Sequence, residues 1–309
     1  MHRSPFRQTA IVITVLVLGA CSANRASMSA DPSASTAATT TTPSAPPVTL
    51  LAAGDVADCK LDGDTKTAAL LEQLPGSIAV LGDLAYDSGT TKEFADCYAP
   101  TWGRFNERAY PVPGNHEYNT KNATPYYAYF GARAGDPTKG WYSYNLGAWH
   151  IIALNSNCDA IGGCTATSPQ GVWLQQDLAA NRTPCTLAYW HHPRFSSGPH
   201  GSNEFMQPFW EILSTAGADI VLSGHDHDYE RFAPMTATGA VANSGLRQFV
   251  VGTGGRTLYP ILFPRVGSEA SNATTFGVLE LSLADDSYRW EFHPVEGGAF
   301  TDSGSTRCA

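Results

Sequence analysis

Five short apolar runs punctuate the chain, and each stops at a different polar ending. Leu50-Leu-Ala-Ala stops at Gly54-Asp55, Ile78-Ala-Val-Leu at Gly82-Asp83, and Tyr110-Pro-Val-Pro at Gly114-Asn115-His116-Glu117. Leu187-Ala-Tyr-Trp stops at His191-His192-Pro193, and Ile220-Val-Leu at Ser223-Gly224-His225-Asp226-His227. Continuous apolar runs of this length read as buried strands. Between them, apolar positions fall at helical spacing in residues 65–74, in part of residues 92–105 with a break at Pro100, and in residues 204–216. Residues 170–181 do the same through Val172, Leu174 or Gln175, and Leu178. A hairpin around Gly147 joins residues 141–146 to 149–155, and further strands are expected at residues 248–252, 276–283 and 288–293. Strands alternating with helices predict an α/β domain with added β-structure. No repeat period is present, which excludes a solenoid.

The polar endings carry the chemistry. In an extended segment, residues i and i+2 share a side. His225 and His227 are therefore expected to face one site beyond a strand's C-terminal end, where open α/β sheets bind ligands. The upstream runs end in further metal-competent side chains: Asp55, Asp83, Asn115 and His191. In this order, the series resembles the calcineurin-like metallophosphoesterases over residues 49–294. Tyr86, three residues after Asp83, makes it most similar to the purple acid phosphatase branch. The first motif, Gly54-Asp55-Val-Ala, lacks the histidine that many superfamily members place two residues after the aspartate. In the purple branch the tyrosine supplies that missing ligand.

The resemblance implies an α/β fold of two facing mixed β-sheets flanked by helices. It implies two metal ions and hydrolysis of a phosphoric ester by a metal-bound hydroxide. Asp55, Asp83, Tyr86 and His227 would hold the first ion; Asp83, Asn115, His191 and His225 the second, with Asp83 shared. Such ions lie about 3.5–4 Å apart and flank an in-line displacement. A phenolate and carboxylates favour Fe(III) at the first position, since tyrosine otherwise titrates near pH 10. Imidazole and amide ligands fit Zn, Mn or ferrous iron at the second. His116 resembles the histidine that stands behind the ligands in this family and is the first candidate to give the leaving alkoxide a proton or a positive neighbour. His200, nine residues past His191, matches one at the substrate's edge and is the candidate general acid. The position two before Pro193 assigns the metal to His191, and the adjacent His192 is expected to point elsewhere. Asp226, Asp228, Glu230 and Arg231 read as structural.

A phosphomonoesterase is the leading function. A phosphodiesterase or nucleotidase on the same site is the alternative, and a non-catalytic phosphate-binding surface lipoprotein is a third reading. Gly252-Thr-Gly-Gly255 lacks the G-K-[ST] of a phosphate loop. No G-x-S-x-G supports a serine hydrolase.

Charge and composition narrow the partners. The 309 residues carry a formal net charge of −9, so no basic face for nucleic acid is offered. The substrate is expected to be a small phosphate ester, and no protein partner is inferable. Residues 1–21 read as a signal peptide: Arg3 and Arg7 precede the apolar residues 10–18, a run too short to span a membrane. Its end, Leu18-Gly-Ala-Cys21, resembles a bacterial lipobox. Lipid on Cys21 would be the sole membrane contact of an exported protein; plain secretion is the alternative. Residues 22–47 are Ala, Ser, Thr and Pro with almost no large apolar side chain, the composition of a disordered tether. Residues 48–309 form the catalytic domain. Seven cysteines less Cys21 leave an even set, which suggests disulfides in an exported chain. Their fifteen pairings stay open; Cys158–Cys164 is a plausible local closure, and Cys59–Cys97 and Cys185–Cys308 are guesses by elimination. Thiolate metal ligands lack a C-x-x-C spacing.

Overall fold

The computed structural model describes residues 45–309. The signal-peptide expectation and most of the tether lie outside the described residues; Ala45–Pro47 are irregular and exposed. Among the described residues no helix is long and apolar enough to cross a membrane.

The strands are β1 (Val48–Ala53), β2 (Ser77–Val80), β3 (Ala109–Pro111), β4 (Tyr142–Leu146), β5 (Trp149–Ala153), β6 (Cys185–Tyr189) and β7 (Ile220–Ser223). They continue as β8 (Tyr229–Phe232), β9 (Arg247–Val251), β10 (Ser268–Asn272), β11 (Gly277–Leu283), β12 (Ser287–Pro294) and β13 (Ser303–Arg307). The helices are α1 (Gly63–Gln73), α2 (Thr91–Glu93), α3 (Thr124–Phe130), α4 (Pro169–Ala180) and α5 (Gln207–Thr215).

Two mixed sheets result. One has the order β13-β12-β11-β1-β2-β3, the other β10-β8-β9-β7-β6-β5-β4. In the first, β1, β2 and β3 are parallel, with Leu51 opposite Ile78 and Val80 opposite Pro111. In the second, β5, β6, β7 and β9 are parallel. Parallel strands end on the same edge, so the polar endings read from the sequence fall on the C-terminal edges of the two sheets.

Strand periodicity divides the core. Ile151, Leu187, Tyr189, Ile220, Leu222, Phe249 and Val251 join Leu50, Ile78, Leu279 and Leu281 in one buried cluster. The alternate positions Ile152, Ala188, Trp190, Val221 and Val250 join Leu174 of α4 and Phe209, Trp210 and Leu213 of α5 in another. Period two sends neighbouring residues to opposite faces, and both faces of this sheet are covered.

Val172 departs from the helical reading: it is exposed, while Gln170 is buried. Gln170 clamps Asn155, accepting from its N–H and donating to its carbonyl, both at 2.8 Å. Strands β8, β10 and β13 were not expected from the pattern. Ser303–Arg307 has no apolar alternation and forms a strand because its main chain pairs with β12 along the sheet edge. Disulfides join Cys59–Cys97, Cys158–Cys164 and Cys185–Cys308, with Cα separations of 4.9, 5.2 and 5.6 Å.

Candidate metal centre

The loops that bear the polar endings are stitched together before any side chain is considered. Gly54 N donates to Val251 O at 2.9 Å, Asp55 N to Gly82 O at 3.0 Å, and Gly224 N to His191 O at 3.1 Å. Asp55, Asp83 and His225 have φ of 60°, 51° and 72°. Side chains other than glycine rarely adopt that region, and such strain concentrates where the surroundings enforce it at functional sites. Glycines allow the close approach: a Cβ at Gly224 would lie 2.6 Å from Asp55 Oδ2, and one at Gly114 would overlap the Asp83 carboxylate.

All seven sequence-chosen ligand residues meet in one cluster. Tyr86 Oη lies 2.9 Å from Asp55 Oδ1, 3.2 Å from Asp83 Oδ2 and 3.2 Å from His227 Nε2. His191 Nε2 lies 3.2 Å from the same Asp83 Oδ2 and 3.1 Å from Asn115 Oδ1. Candidate ligand atoms of Asp83, His191 and His225 lie within 4.8 Å of one another. The other oxygen of Asp83 accepts the His116 N–H at 2.9 Å, while Oδ2 faces both Tyr86 and His191. His191 Nδ1 is 2.8 Å from Leu81 O and His227 Nδ1 is 2.8 Å from Thr257 O. A carbonyl at Nδ1 selects the tautomer with a free Nε2 lone pair, the usual arrangement behind a metal-binding histidine. The donor set therefore fits two cations. A second cluster among the described residues, Cys185, Asp219 and Cys308, contains a disulfide and offers no thiolate.

The electrostatics agree. Asp55 and Asp83 are fully buried, and no lysine or arginine is ion-paired with either among the described residues. Burial favours a neutral Asp83, but the His191 imidazole beside it holds the carboxyl below its usual range. Burial likewise favours neutral His191, and Asp83 reverses this and raises it to about 9. Burial and the Asp55 carboxylate push the Tyr86 phenol well above its ordinary value. A phenol in this setting loses its proton only to a strong local positive charge. His225 is pushed down by burial and then by His191.

One expectation is corrected. His225 and His227 do not lie on an extended segment. Asp226 N donates to Gly224 O at 3.0 Å and Asp228 N to Asp226 O at 2.8 Å, giving two successive three-residue turns. The turns bring the His225 ring 5.0 Å from His191 and the His227 ring 5.9 Å from Tyr86, so the two imidazoles serve different halves of the cluster. His192 does bond elsewhere, with Nδ1 2.8 Å from Ser156 Oγ. Its ring nevertheless stays 4.4 Å from His225, because the chain bends at residues 191–192. Burial, then His191, lowers its pKa to about 3, so it is neutral.

Both candidate proton donors border the cluster. His116 Nδ1 is 2.6 Å from Asp87 O, and its Nε2 is 3.7 Å from Asp83 Oδ2. The His200 ring stacks on His225 at 4.4 Å, with Nδ1 3.3 Å from Asp226 Oδ1.

The family model for calcineurin-like phosphoesterases matches residues 42–229. The chain belongs to that family. Among its curated relatives, purple acid phosphatase 15 of Arabidopsis thaliana is 27% identical over 226 residues, 61% of this chain and 42% of that protein. Purple acid phosphatase 1 of Ipomoea batatas is 31% identical over 182 residues, 50% and 36% of the respective chains. The chain thus spans less than half the length of these relatives. The solved purple acid phosphatase PPD1 from yellow lupin seeds has a TM-score of 0.68 at 18% identity, covering 84% of this chain and 53% of that one. GAP50, an anchor in the inner membrane complex of Plasmodium, has a TM-score of 0.66 at 13% identity, covering 86% and 90%. These two share the fold.

Three residues of this family member escaped the sequence reading. Glu117 is buried and accepts the N–H groups of Asp83, Leu84 and Gly114 at 3.0, 2.8 and 2.8 Å, so it splints two ligand loops. Its place directly after Asn115-His116 was the available signal. Tyr259 stacks on His227 at 4.0 Å, and Arg256 lies 4.7 Å over the Tyr86 ring. Nothing in their sequence neighbourhood marks either.

Proposed function

We propose that the protein is a metal-dependent phosphomonoesterase holding two cations in this cluster, with Asp83 shared between them. One observation carries the reading: two imidazoles, each fixed through Nδ1 to a carbonyl, converge with Asp55, Tyr86 and Asn115 on the carboxylate of Asp83. Asp55, Asp83, Tyr86 and His227 form the first position. Their phenol and carboxylates suit Fe(III), a hard, highly charged ion. Asp83, Asn115, His191 and His225 form the second and suit Zn, Mn or ferrous iron. When bound, the pair supplies Lewis acidity toward phosphoryl oxygens and acidifies a water for attack on phosphorus.

The chain's own residues do the rest. His116, oriented by Asp87 O, directs Nε2 toward the reacting phosphate. His200, held through Nδ1 by Asp226, offers its other nitrogen to the leaving alkoxide as proton donor. Phosphate release from 4-nitrophenyl phosphate by the purified protein, with elemental analysis, tests the reading. Asp83→Asn is expected to lower kcat/KM at least about a hundredfold and to reduce bound metal; unchanged turnover overturns the two-cation model. A phenolate-to-iron absorption band is expected in the visible, and fully metallated protein without it excludes Fe(III) beside Tyr86. Slower cleavage of the corresponding bis-ester is expected for a monoesterase.

The same reading includes export and attachment through lipid on Cys21. Three disulfides support an oxidising compartment. Cys21→Ala is expected to move the protein from the membrane fraction into the medium; retention on membranes counts against a lipid anchor.

A further inference from the structure

Next to the ligand cluster lies a cavity of about 520 Å³ whose lining includes Tyr118, Asn157, Asp159, His192, Asn203 and Phe205. It shares His192 with the edge of the cluster: that ring is 4.4 Å from His225, and its Nδ1 is fixed by Ser156. The size is that of a pocket for a small organic molecule. Phe205 is 44% exposed while its neighbours Phe209 and Trp210 are fully buried, and its ring stands edge-on to His192 at 5.7 Å. An aromatic ring left half in water beside a cavity gains by covering its face with another flat apolar group. Tyr118 has its hydroxyl engaged, receiving the Asn155 amide at 2.8 Å and lying 3.3 Å from Tyr127 Oη.

The polar lining is one-sided. Asn157 Nδ2 donates to Asn155 Oδ1 and Pro113 O at 2.9 and 3.2 Å, and Asn203 Nδ2 donates to Pro193 O and Gly201 O at 2.9 and 3.3 Å. With both amide nitrogens engaged, what these side chains offer a ligand is acceptor oxygen. Asp159 adds an exposed carboxylate, and the lining contains no lysine or arginine. A second phosphate or a carboxylate on the ligand would meet the Asp159 carboxylate and these amide oxygens with no lysine or arginine to balance its charge. The Cys158–Cys164 disulfide closes the loop that carries this wall.

We propose that this cavity holds the alcohol part of the phosphate ester and selects an aromatic, uncharged or cationic one over aliphatic or polyanionic ones. The inference rests on reading the neighbouring cluster as the phosphoryl site. Benzyl phosphate and ethyl phosphate, whose leaving alcohols are similarly weak acids, separate binding from leaving-group chemistry. The benzyl-to-ethyl ratio of kcat/KM is expected at about ten or more, the order an apolar pocket delivers. Phe205→Ala is expected to bring it to within about twofold of unity, since a truncated wall no longer rewards the ring. Equal kcat/KM for the two esters, or a ratio that survives Phe205→Ala, overturns the inference. Calorimetric binding of benzylphosphonate against methylphosphonate, in wild type and Phe205→Ala, keeps the two readings apart. If neither ester is cleaved but benzylphosphonate binds more tightly through Phe205, the cavity stands and the hydrolytic reading falls. Equal binding of both phosphonates removes the cavity's role.

Discussion

Glu117 shows how one side chain can govern a site it never enters. Its carboxylate gathers N–H groups from the Asp83 loop and from Gly114, the residue before Asn115. Burial and the Asp83 charge raise its pKa to about 7, while the N–H bonds oppose the shift. Glu117→Gln keeps the shape but turns an amide nitrogen toward at least one backbone donor. Such partners behind metal ligands typically cost about 10–100-fold in affinity or activity when changed. The expected outcome is a loss of that size in metal affinity, measured by titration of metal-free protein, with a parallel fall in kcat/KM. A variant with native affinity would show that the loops hold their places without it.

At the scale of the element, the turn at residues 224–228 does more than present two histidines. Asp226, between them, is fully buried. Its carboxylate accepts the Ser196 hydroxyl and the His200 N–H at 2.9 Å, besides lying near His200 Nδ1. One residue therefore ties the ligand turn to the loop carrying the proposed proton donor. Asp226→Asn replaces an acceptor oxygen with a donor and loosens that loop. It is expected to lower kcat about 10–100-fold with a smaller change in KM, because a misplaced general acid affects the transition state most. Steady-state kinetics on an alkyl phosphate, whose leaving group needs the proton, is the sensitive measurement. An equal effect on 4-nitrophenyl phosphate, whose leaving group does not, would argue against this role for His200.

For the whole molecule, the cluster needs the two sheets held at a constant separation. Asp302, just before β13 of the first sheet, accepts from Arg231 Nε and Tyr229 Oη of β8 in the second, both at 2.7 Å. Arg231 also lies 4.9 Å over the Trp290 ring. Burial favours a neutral Asp302, but the Arg231 and Tyr229 bonds win and lower its pKa. Both partners' side chains are only about a tenth exposed, 11% and 10%. Arg231 keeps Glu269 as a second acidic partner when the Asp302 charge is removed, so Asp302→Asn is expected to cost about 1–3 kcal/mol, the range of a lost hydrogen bond to a charged group. Because the folded pKa lies below the unfolded one, this stability is present above the unfolded value, near pH 4, and is lost as pH falls through the folded value. The Tm difference between wild type and Asp302→Asn should thus be largest near neutral pH and shrink below about pH 4. A difference independent of pH would mean that packing, not charge, holds the sheets at this point.

The linear chain by itself determined the strand endings. An apolar run stopping at Gly-Asp or Gly-Asn-His commits both a buried strand and the polar side chain at its edge, so the α/β class and the metal-competent endings Asp55, Asp83, Asn115, His191, His225 and His227 were legible from local pattern, while Tyr86 and the grouping into two positions came only with the family resemblance. Strands β8, β10 and β13 were not, because main-chain pairing with their neighbours creates them and their own side chains carry little signal. The splint of Glu117, the stacking of Tyr259 and the cavity beside His192 likewise depend on loops far apart in sequence coming together. Contacts of that kind have no spacing to read, and only the tertiary structure decided them.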